Sequence, residues 1–385
     1  MSTEVDPDMS RGPDYYEAYM TRIGNESIPA YEPSLGEHEL ELLGDVIRRN
    51  WLSEGKYVKE FERRLGEACD RSRAIAFCNA TSAIIAGLRG RGIGVGDEVI
   101  VPSFTHPADP NAIAVIGATP IFSDVDEDSL CLSVDTIDRV KTVATRAILF
   151  VSSYGNVSDL DNIVEYADHH GLTLVNDCAP ALFGSYRERP IASYGDFAAL
   201  SFFADKTITT GEGGMLLTDS DDLAEEAQMF KHDGRHERGH DLIERIGYNF
   251  RITELQAAVG VAQLDRAQDF IAGKLDNERR YRDRLQGLSQ ARVFDFNPEG
   301  EIVPHRTLIF VDDAAPLITH LTSAGIGARC TFTPMHSQPC YATGRSLPIT
   351  DRLHAGGVCL PSAPGLSDEQ IAYVCDAIRD YYDRG

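Results

Sequence analysis

Short apolar runs that alternate with helical segments constrain the fold of this chain more than any other feature of its sequence. The runs lie at Val99 to Val101, Thr119 to Val125, Ala147 to Tyr154 and Leu172 to Asp177. Segments with helical spacing, residues 112–116 and 160–169, separate some of them. Alternation of this kind predicts an α/β fold, in which a mostly parallel sheet carries helices on both faces.

Four side chains that can carry chemistry stand at the ends of predicted strands or just after them. They are Thr81, His106, Asp177 and Lys206. Ligands of such sheets bind at the carboxyl ends of the strands. We therefore expect the four residues to share one site.

Lys206 follows the apolar run Phe197 to Phe203 and lies in a loop of threonines and glycines that leads to a second run, Met215 to Leu217. A lysine in this position is well placed to be a nucleophilic amine. Such amines form Schiff bases with carbonyl compounds, including the aldehyde of pyridoxal phosphate. The alternative is a lysine that caps a hairpin, and the loop alone does not separate the two.

Asp177 closes an apolar strand, where a carboxylate is costly unless a cation or a strong donor pairs with it. A protonated pyridine nitrogen would be such a partner, and the ion pair would keep the ring an electron sink. The alternative is an N-cap for the segment that follows Asp177.

The turn Cys78 to Ala83 joins a short strand, Arg73 to Phe77, to a predicted helix. Backbone N–H groups at a helix start favour an anion, and the hydroxyls of Thr81 and Ser82 add donors. The turn is therefore a candidate phosphate site, with an ordinary N-cap as the alternative. It contains no GxGxxG pattern, so a dinucleotide site is not supported.

Composition excludes several classes of protein. The chain has 385 residues, 43% of them hydrophobic, but no apolar run near 18 residues, so we expect no membrane span. Its formal charge of −24 disfavours nucleic acid as a partner. Its eight cysteines include no CxxC pair, which argues against a zinc site and for a reducing cytoplasm.

The length favours one large and one smaller domain. We predict a polar leader at residues 1–28, without the layout of a signal peptide, and a large domain at residues 29–265. Residues 266–385, with strands near 307–311 and 327–332 and helices near 315–324 and 367–382, predict a small α+β domain.

Seven stretches are specific enough to indicate a family. They are Asn50-Trp-Leu-Ser, Gly94-Val-Gly-Asp-Glu-Val-Ile-Val-Pro-Ser, Tyr154-Gly-Asn, Gly195-Asp-Phe, Ser201-Phe-Phe-Ala-Asp-Lys, Thr210-Gly-Glu-Gly-Gly-Met and Gly247-Tyr-Asn-Phe-Arg-Ile-Thr. From about Ile28 to Tyr382, the chain resembles the DegT/DnrJ/EryC1/StrS family of sugar aminotransferases. The resemblance implies pyridoxal-phosphate enzymes of fold type I, and within the family the chain is most similar to perosamine synthases.

The resemblance assigns roles to individual residues. Lys206 matches the Schiff-base lysine and Asp177 the partner of the pyridine nitrogen. The matches to phosphate contacts are Ala80, Thr81, Ser82 and Ser201. Asn249 matches a residue that reaches the phosphate of the neighbouring subunit, which implies a homodimer with shared sites.

Two residues depart from the family pattern. His106 stands where an aromatic residue usually stacks on the cofactor ring, and histidine can also titrate near neutrality, so it can stack or transfer a proton. Pro180 stands where Gln or Glu usually lies near the phenolic oxygen of the cofactor.

The resemblance implies transfer of an amino group from glutamate to a nucleotide-linked keto-deoxy sugar, with a 4-keto-6-deoxyhexose expected. His305, Arg329 and His336 lie in segments that resemble the border of the sugar site, although they can equally be surface or core residues. The alternatives are a dehydratase that uses pyridoxamine phosphate, against which Lys206 argues, a cyclitol aminotransferase, and a cofactor-binding regulatory protein.

Overall fold

The computed structural model describes residues 27–236, 242–341 and 344–383. The predicted leader therefore lies outside the described residues, apart from its last two. The described α-helices are α1 (Glu37–Arg49), α2 (Lys56–Ala68), α3 (Ala80–Gly90), α4 (Ala108–Val115), α5 (Val134–Asp138), α6 (Leu160–His170), α7 (Asp221–Lys231), α8 (Glu254–Asp265), α9 (Ala267–Leu285), α10 (Ala314–Ser323), α11 (Pro348–Gly356) and α12 (Asp368–Asp383). Among these helices, none is long and apolar enough to cross a membrane.

The described strands form three sheets. The strands are β1 (Arg73–Phe77), β2 (Glu98–Pro102), β3 (Thr119–Ser123), β4 (Thr145–Val151), β5 (Thr173–Asp177), β6 (Ser185–Tyr186), β7 (Arg189–Pro190), β8 (Phe197–Ser201), β9 (Gly214–Thr218), β10 (Arg292–Val293), β11 (Gly300–Glu301), β12 (Leu308–Phe310), β13 (Arg329–Cys330) and β14 (Gly357–Cys359). The largest sheet has seven strands in the order β1-β9-β8-β5-β4-β2-β3.

Six strands of the large sheet run in one direction. The pairs β2·β3, β2·β4, β4·β5 and β5·β8 are parallel, whereas β9 is antiparallel to both of its neighbours, β1 and β8. The predicted α/β class with a mostly parallel sheet is therefore confirmed, and the carboxyl ends of these six strands lie along one edge.

Both faces of the large sheet are covered. In β4, Ile148 and Phe150 belong to one apolar cluster, whereas Leu149 and Val151 belong to another. Successive side chains of a strand point to opposite faces, so each face of β4 meets its own layer of helices. This explains why the strand reads as a continuous apolar run rather than an alternating one.

The C-terminal residues form a smaller antiparallel sheet, β10-β12-β14-β13. Helices α9, α10 and α12 contribute to its apolar cluster, which also includes Ile28. Ile28 is tied there by its backbone, since its N–H donates to the oxygen of Gly325 (3.0 Å) and its oxygen accepts from Gly327 N–H (2.8 Å). We propose that the second domain begins with α9 and includes this short N-terminal contact.

Several predicted strands are longer than the observed ones, and two of them show the physical reason. The run Ala147 to Tyr154 leaves the sheet after Val151, because Tyr154 adopts a φ of 56° in a short 3₁₀ turn. The predicted strand 327–332 is paired only at Arg329–Cys330. Beyond it, the N–H of Phe332 donates to the hydroxyl of Tyr154 (2.9 Å) rather than to a strand.

Helix α3 packs on the large sheet through a glycine. A Cβ at Gly87 would lie 2.3 Å from the ring of Phe197. Gly87→Ala should therefore lower the free energy of unfolding by about 1–3 kcal/mol through overpacking. Gly44→Ala is the matched control, because its Cβ would meet the guanidinium of Arg48 at 3.0 Å and alanine has the higher helix propensity. Urea unfolding of both variants tests this, and equal effects would contradict the close packing of α3.

Candidate active site

A cavity of about 720 Å³ opens at the carboxyl edge of the large sheet. Eight of the predicted site residues line it: Ala80, Thr81, His106, Asp177, Ser201, Lys206, His305 and Arg329. The structure thus brings together residues from the ends of β1, β2, β5 and β8 with residues of the C-terminal sheet. Ser82, Asn249 and His336 do not line the cavity.

The start of α3 forms one wall. Asn79 is the N-cap, and its Oδ1 accepts both the N–H (2.8 Å) and the hydroxyl (2.9 Å) of Ser82. The hydroxyl of Ser82 is thus engaged in the cap. The N–H groups of Ala80 and Thr81 lie in the first turn, where the helix provides no acceptor, and both residues line the cavity. This leaves an anion-binding helix start open to the cavity.

Lys206 lies in the loop after β8. Its Nζ is 3.9 Å from Oδ1 of Asp205, and its side chain is 16% exposed. Burial lowers the pKa of Lys206, while the carboxylates of Asp205 and Asp177 oppose the shift. A larger fraction of the amine is therefore unprotonated than for a lysine in water, which is the state that a nucleophilic amine needs.

Asp177 is buried at the end of β5. Its Oδ1 accepts the N–H of Ala179 (2.9 Å), and the next element is β6 rather than a helix. The N-cap alternative is therefore wrong. Burial raises the pKa of Asp177, whereas the N–H of Ala179 and the charge of Lys206 favour the carboxylate.

His106 faces the same cavity from the loop before α4. Its Nδ1 accepts the N–H of Ala108 (3.2 Å), so the neutral ring carries its proton on Nε2. Burial, followed by the positive charge of Lys206, lowers the pKa of His106. A neutral imidazole at pH 7 fits a stacking role better than that of a cationic acid. Pro180 also lines the cavity.

A second carboxylate, Asp205, anchors a cationic cluster that the sequence did not reveal. Its Oδ2 lies 2.6 Å from Arg306, 3.3 Å from Arg329 and 3.7 Å from His305. Arg306 is almost fully buried, at 2% exposed. The ring of Tyr31 lies beneath both guanidinium groups, with its centroid 5.2 Å and 5.9 Å from their carbons.

The charges of this cluster decide how Asp205 ionises. Burial opposes the carboxylate, but the pKa of Asp205 is still held well below its usual range by the cations around it. Burial lowers the pKa of His305 far enough to keep its imidazole neutral. The permanent positive charge beside Asp205 therefore comes from Arg306 and Arg329. The one sequence signal for Asp205 is its place next to Lys206.

Lys274 is a further buried group near the cluster that the sequence did not reveal. Its Nζ donates to the backbone oxygen of His305 (3.2 Å). Burial, with the nearby charge of Arg306, lowers its pKa to about 7.

The three predicted substrate residues occupy different environments. Arg329 lines the cavity with a side chain that is 51% exposed. His305 lines it from a buried position, and within the described part of the chain its Nδ1 has no hydrogen-bond partner. His336 is buried and does not line the cavity, and its Nδ1 lies 2.7 Å from the hydroxyl oxygen of Ser103.

The remaining predicted contacts lie at the rim or away from it. Ser201 lines the cavity at the end of β8, and its Oγ accepts the N–H of Phe203 (3.4 Å). Asn249 is exposed and lies outside the cavity, where its backbone pairs with that of His232. Across the described ranges, no group of three or more His, Cys, Asp or Glu side chains could hold a metal ion.

The residues present fit pyridoxal phosphate. The free N–H groups of α3 suit the phosphate, Asp177 suits a protonated pyridine nitrogen, and Lys206 suits the aldehyde. Gly214 of β9 also fits, because a Cβ there would lie 2.3 Å from the backbone of Asn79 and displace the turn. The pocket thus has a matching group for each end of the cofactor.

Comparison with known proteins identifies the family. The model of the DegT/DnrJ/EryC1/StrS aminotransferase family matches residues 33–379. The chain belongs to this family and is an aminotransferase. A GDP-perosamine synthase of Escherichia coli O157:H7 is 37% identical to it over 366 residues, which cover 92% of this chain and 98% of that protein.

Solved structures agree with this fold. DesI, solved in the presence of its TDP-sugar product, superposes with a TM-score of 0.87 at 30% identity and covers 96% of each chain. The PLP-form of Spr1654 from Streptococcus pneumoniae superposes with a TM-score of 0.87 at 26% identity, over 93% of this chain and 99% of that one. The predicted family and fold are therefore confirmed.

The Asp205 cluster should make a large contribution to stability. Asp205→Asn leaves the buried guanidinium of Arg306 without its anion, so the free energy of unfolding should fall by about 3–5 kcal/mol at pH 7. Because the folded pKa of Asp205 is lowered, the wild-type advantage is present above about pH 4 and shrinks as the pH falls further.

Urea unfolding across a pH series measures this. Arg329→Gln is the control, because half of that side chain is exposed and its loss should cost less than about 1 kcal/mol. An Asp205→Asn protein as stable as the wild type at pH 7 would contradict the ion-pair interpretation.

Proposed function

We propose that this aminotransferase uses pyridoxal phosphate to move an amino group from glutamate to a nucleotide-linked keto-deoxy sugar, with a 4-keto-6-deoxyhexose as the expected acceptor. The observation that carries the proposal is the convergence of Lys206, Asp177 and the start of α3 on one cavity. The regulatory alternative requires none of these groups to be chemically competent. The lowered pKa of the Lys206 amine argues against it.

The cofactor would be held at three points. The N–H groups of Ala80 and Thr81, with Ser201 nearby, would bind the phosphate, and His106 would stack on the ring. Asp177 would pair with the pyridine nitrogen. When bound, pyridoxal phosphate supplies an electron sink that makes the α-carbon of an amino acid acidic.

Lys206 would do the proton transfer. Its Nζ would bind the aldehyde covalently and be released when the amino donor takes its place. As a neutral amine in a buried site, it would accept the proton from the α-carbon of the donor and return a proton on the other side of the transferred nitrogen. Repeated turnover therefore depends on this one side chain. A dehydratase that lacks such a lysine is a poorer match.

The acceptor would enter from the side of the C-terminal sheet. Arg329 is partly exposed in the cavity and can donate to an anionic group, whereas His305 is buried deeper. The names of the GDP-perosamine synthase and of the DesI complex with a TDP-sugar support a nucleotide sugar. A cyclitol acceptor is the second candidate, because nothing in the cavity distinguishes the two rings.

We further propose a cytoplasmic homodimer. Asn249 is exposed in the single chain and lies outside the cavity lining. It is therefore available to reach the phosphate of a neighbouring subunit, as the family resemblance implies.

Trapping tests the covalent role of Lys206. Protein loaded with pyridoxal phosphate and reduced with borohydride should carry the cofactor on the peptide that contains Lys206. Lys206→Ala should lose the adduct and repeated turnover, since no other lysine is among the described residues that line the cavity. Lys274→Met is the matched control, because Lys274 is also buried with a lowered pKa, and it should keep the adduct. An active Lys206→Ala protein would refute the mechanism.

A substrate panel tests the acceptor. Glutamate should convert the protein to its pyridoxamine form and release 2-oxoglutarate. One class of nucleotide-linked keto sugar should then return the protein to its starting form. Arg329→Gln should raise KM for that sugar by about 10–100-fold, because a charge-assisted hydrogen bond is lost, with a smaller change in kcat. If keto-cyclitols alone return the pyridoxamine form to the starting form, a cyclitol is the favoured acceptor.

A further inference from the structure

A second carboxyl group lies against Asp177. Asp109, in the first turn of α4, is fully buried, and its side chain is within hydrogen-bonding contact of Asp177. Two carboxylates in such a buried position repel each other strongly, so one of them retains a proton. Neither the sequence nor the proposed mechanism gives Asp109 a role.

The hydrogen bonds around Asp109 show where a proton fits. Its Oδ2 accepts a short hydrogen bond from the hydroxyl of Thr105. Its Oδ1 is buried and, among the described residues, has no donor. A buried oxygen without a partner is costly, and a proton on Oδ1 that is donated to Asp177 removes that cost. The same hydrogen bond gives Asp177 a second donor besides the N–H of Ala179.

The surroundings indicate which member of the pair is protonated. Among the described residues, two titratable groups act on Asp109, namely Asp177 from β5 and Lys206 from the loop after β8. Burial, followed by the negative charge of Asp177, raises the pKa of Asp109 well above its usual range. The pKa of Asp177 is raised by burial, but the N–H of Ala179, the charge of Lys206 and the hydrogen bond from Asp109 all counteract this. The proton therefore belongs on Asp109.

We propose that Asp109 is a positioning residue that remains protonated and donates a hydrogen bond to Asp177, so that Asp177 stays ionised and oriented toward the pyridine nitrogen of the cofactor. The role of Asp177 in this inference rests on the proposed function. No bond is made or broken at Asp109: its proton stays on Oδ1, and the negative charge stays on Asp177.

The cofactor-free protein provides the first test. Its infrared spectrum at pH 7 should contain the band of protonated carboxyl groups, and Asp109→Asn should reduce that band by the contribution of one group. Asp124→Asn is the control, because Asp124 lies just beyond β3 and is bound by the N–H groups of Ile349 and Thr350. It should leave the band in place. A band of unchanged intensity in Asp109→Asn would overturn the proposal.

Stability of the cofactor-free protein gives a second readout. A raised folded pKa means that the native state binds more protons than the unfolded chain, so the wild type loses stability as the pH rises above about 4. Asp109→Asn lacks this dependence. Its stability relative to the wild type should therefore increase as the pH rises toward the folded pKa of Asp109. A difference that does not change with pH would count against a protonated Asp109.

The affinity for pyridoxal phosphate distinguishes a hydrogen bond donated by residue 109 to Asp177 from a role of residue 109 in packing alone. Asp109→Asn keeps a neutral donor, so its affinity and its pH profile should stay close to the wild type. Asp109→Ala removes the donor, so Asp177 should hold its own proton to higher pH. The affinity at pH 7 should then fall about tenfold or more and recover at alkaline pH. Tighter binding by Asp109→Asn than by the wild type would show that Asp109 is ionised and overturn the proposal.

The two hypotheses fail in different ways. If the wild-type protein binds no pyridoxal phosphate, the proposed function is wrong, while the infrared and stability results still decide whether Asp109 is protonated. If the cofactor binds and both Asp109 variants keep the wild-type pH profile, the cofactor assignment stands and the positioning role is refuted.

Discussion

The shared direction of six strands is the constraint on which the rest of this structure depends. Because β1, β2, β5 and β8 all end at one edge, the groups that follow them meet there although they are far apart in the chain. The helix start after β1, His106 after β2, Asp177 at the end of β5 and Lys206 after β8 thus line a single cavity. If one of these strands ran in the opposite direction, the functional group that follows it would lie at the opposite edge of the sheet.

Several charged side chains of the cavity are shielded from water, and this changes their pKa values. Two buried charges have a partner of opposite sign: Arg306 lies beside Asp205, and Asp177 lies within the field of Lys206. Such pairs cost more to break than they contribute when formed. The pair of Arg306 and Asp205 therefore holds the C-terminal sheet against the lysine loop. The carboxylates of Asp205 and Asp177 also counteract the lowering of the pKa of Lys206 by burial.

Local patterns predicted the elements and most of the site. The helical segment predicted at residues 160–169 is observed as α6 (Leu160–His170), and the family comparison confirms the aminotransferase class that the motifs implied. Errors arose where a tertiary contact overrode the local pattern, as at Tyr154. Asp109 and Asp205 were missed because one acidic residue in an apolar segment has no periodic signature. The domain division and the individual roles in binding stay predictions.

The sequence by itself determined the α/β class and the family, because these depend on periodicity and on contiguous motifs, and it predicted Lys206 as the reactive lysine. Only the tertiary structure decided which carboxyl groups face each other, which of the predicted histidines line the cavity, and how Arg306 is neutralised. Those properties arise from burial and from distances between segments remote in the chain. A side chain changes its pKa according to what folding places beside it, and no local pattern records that.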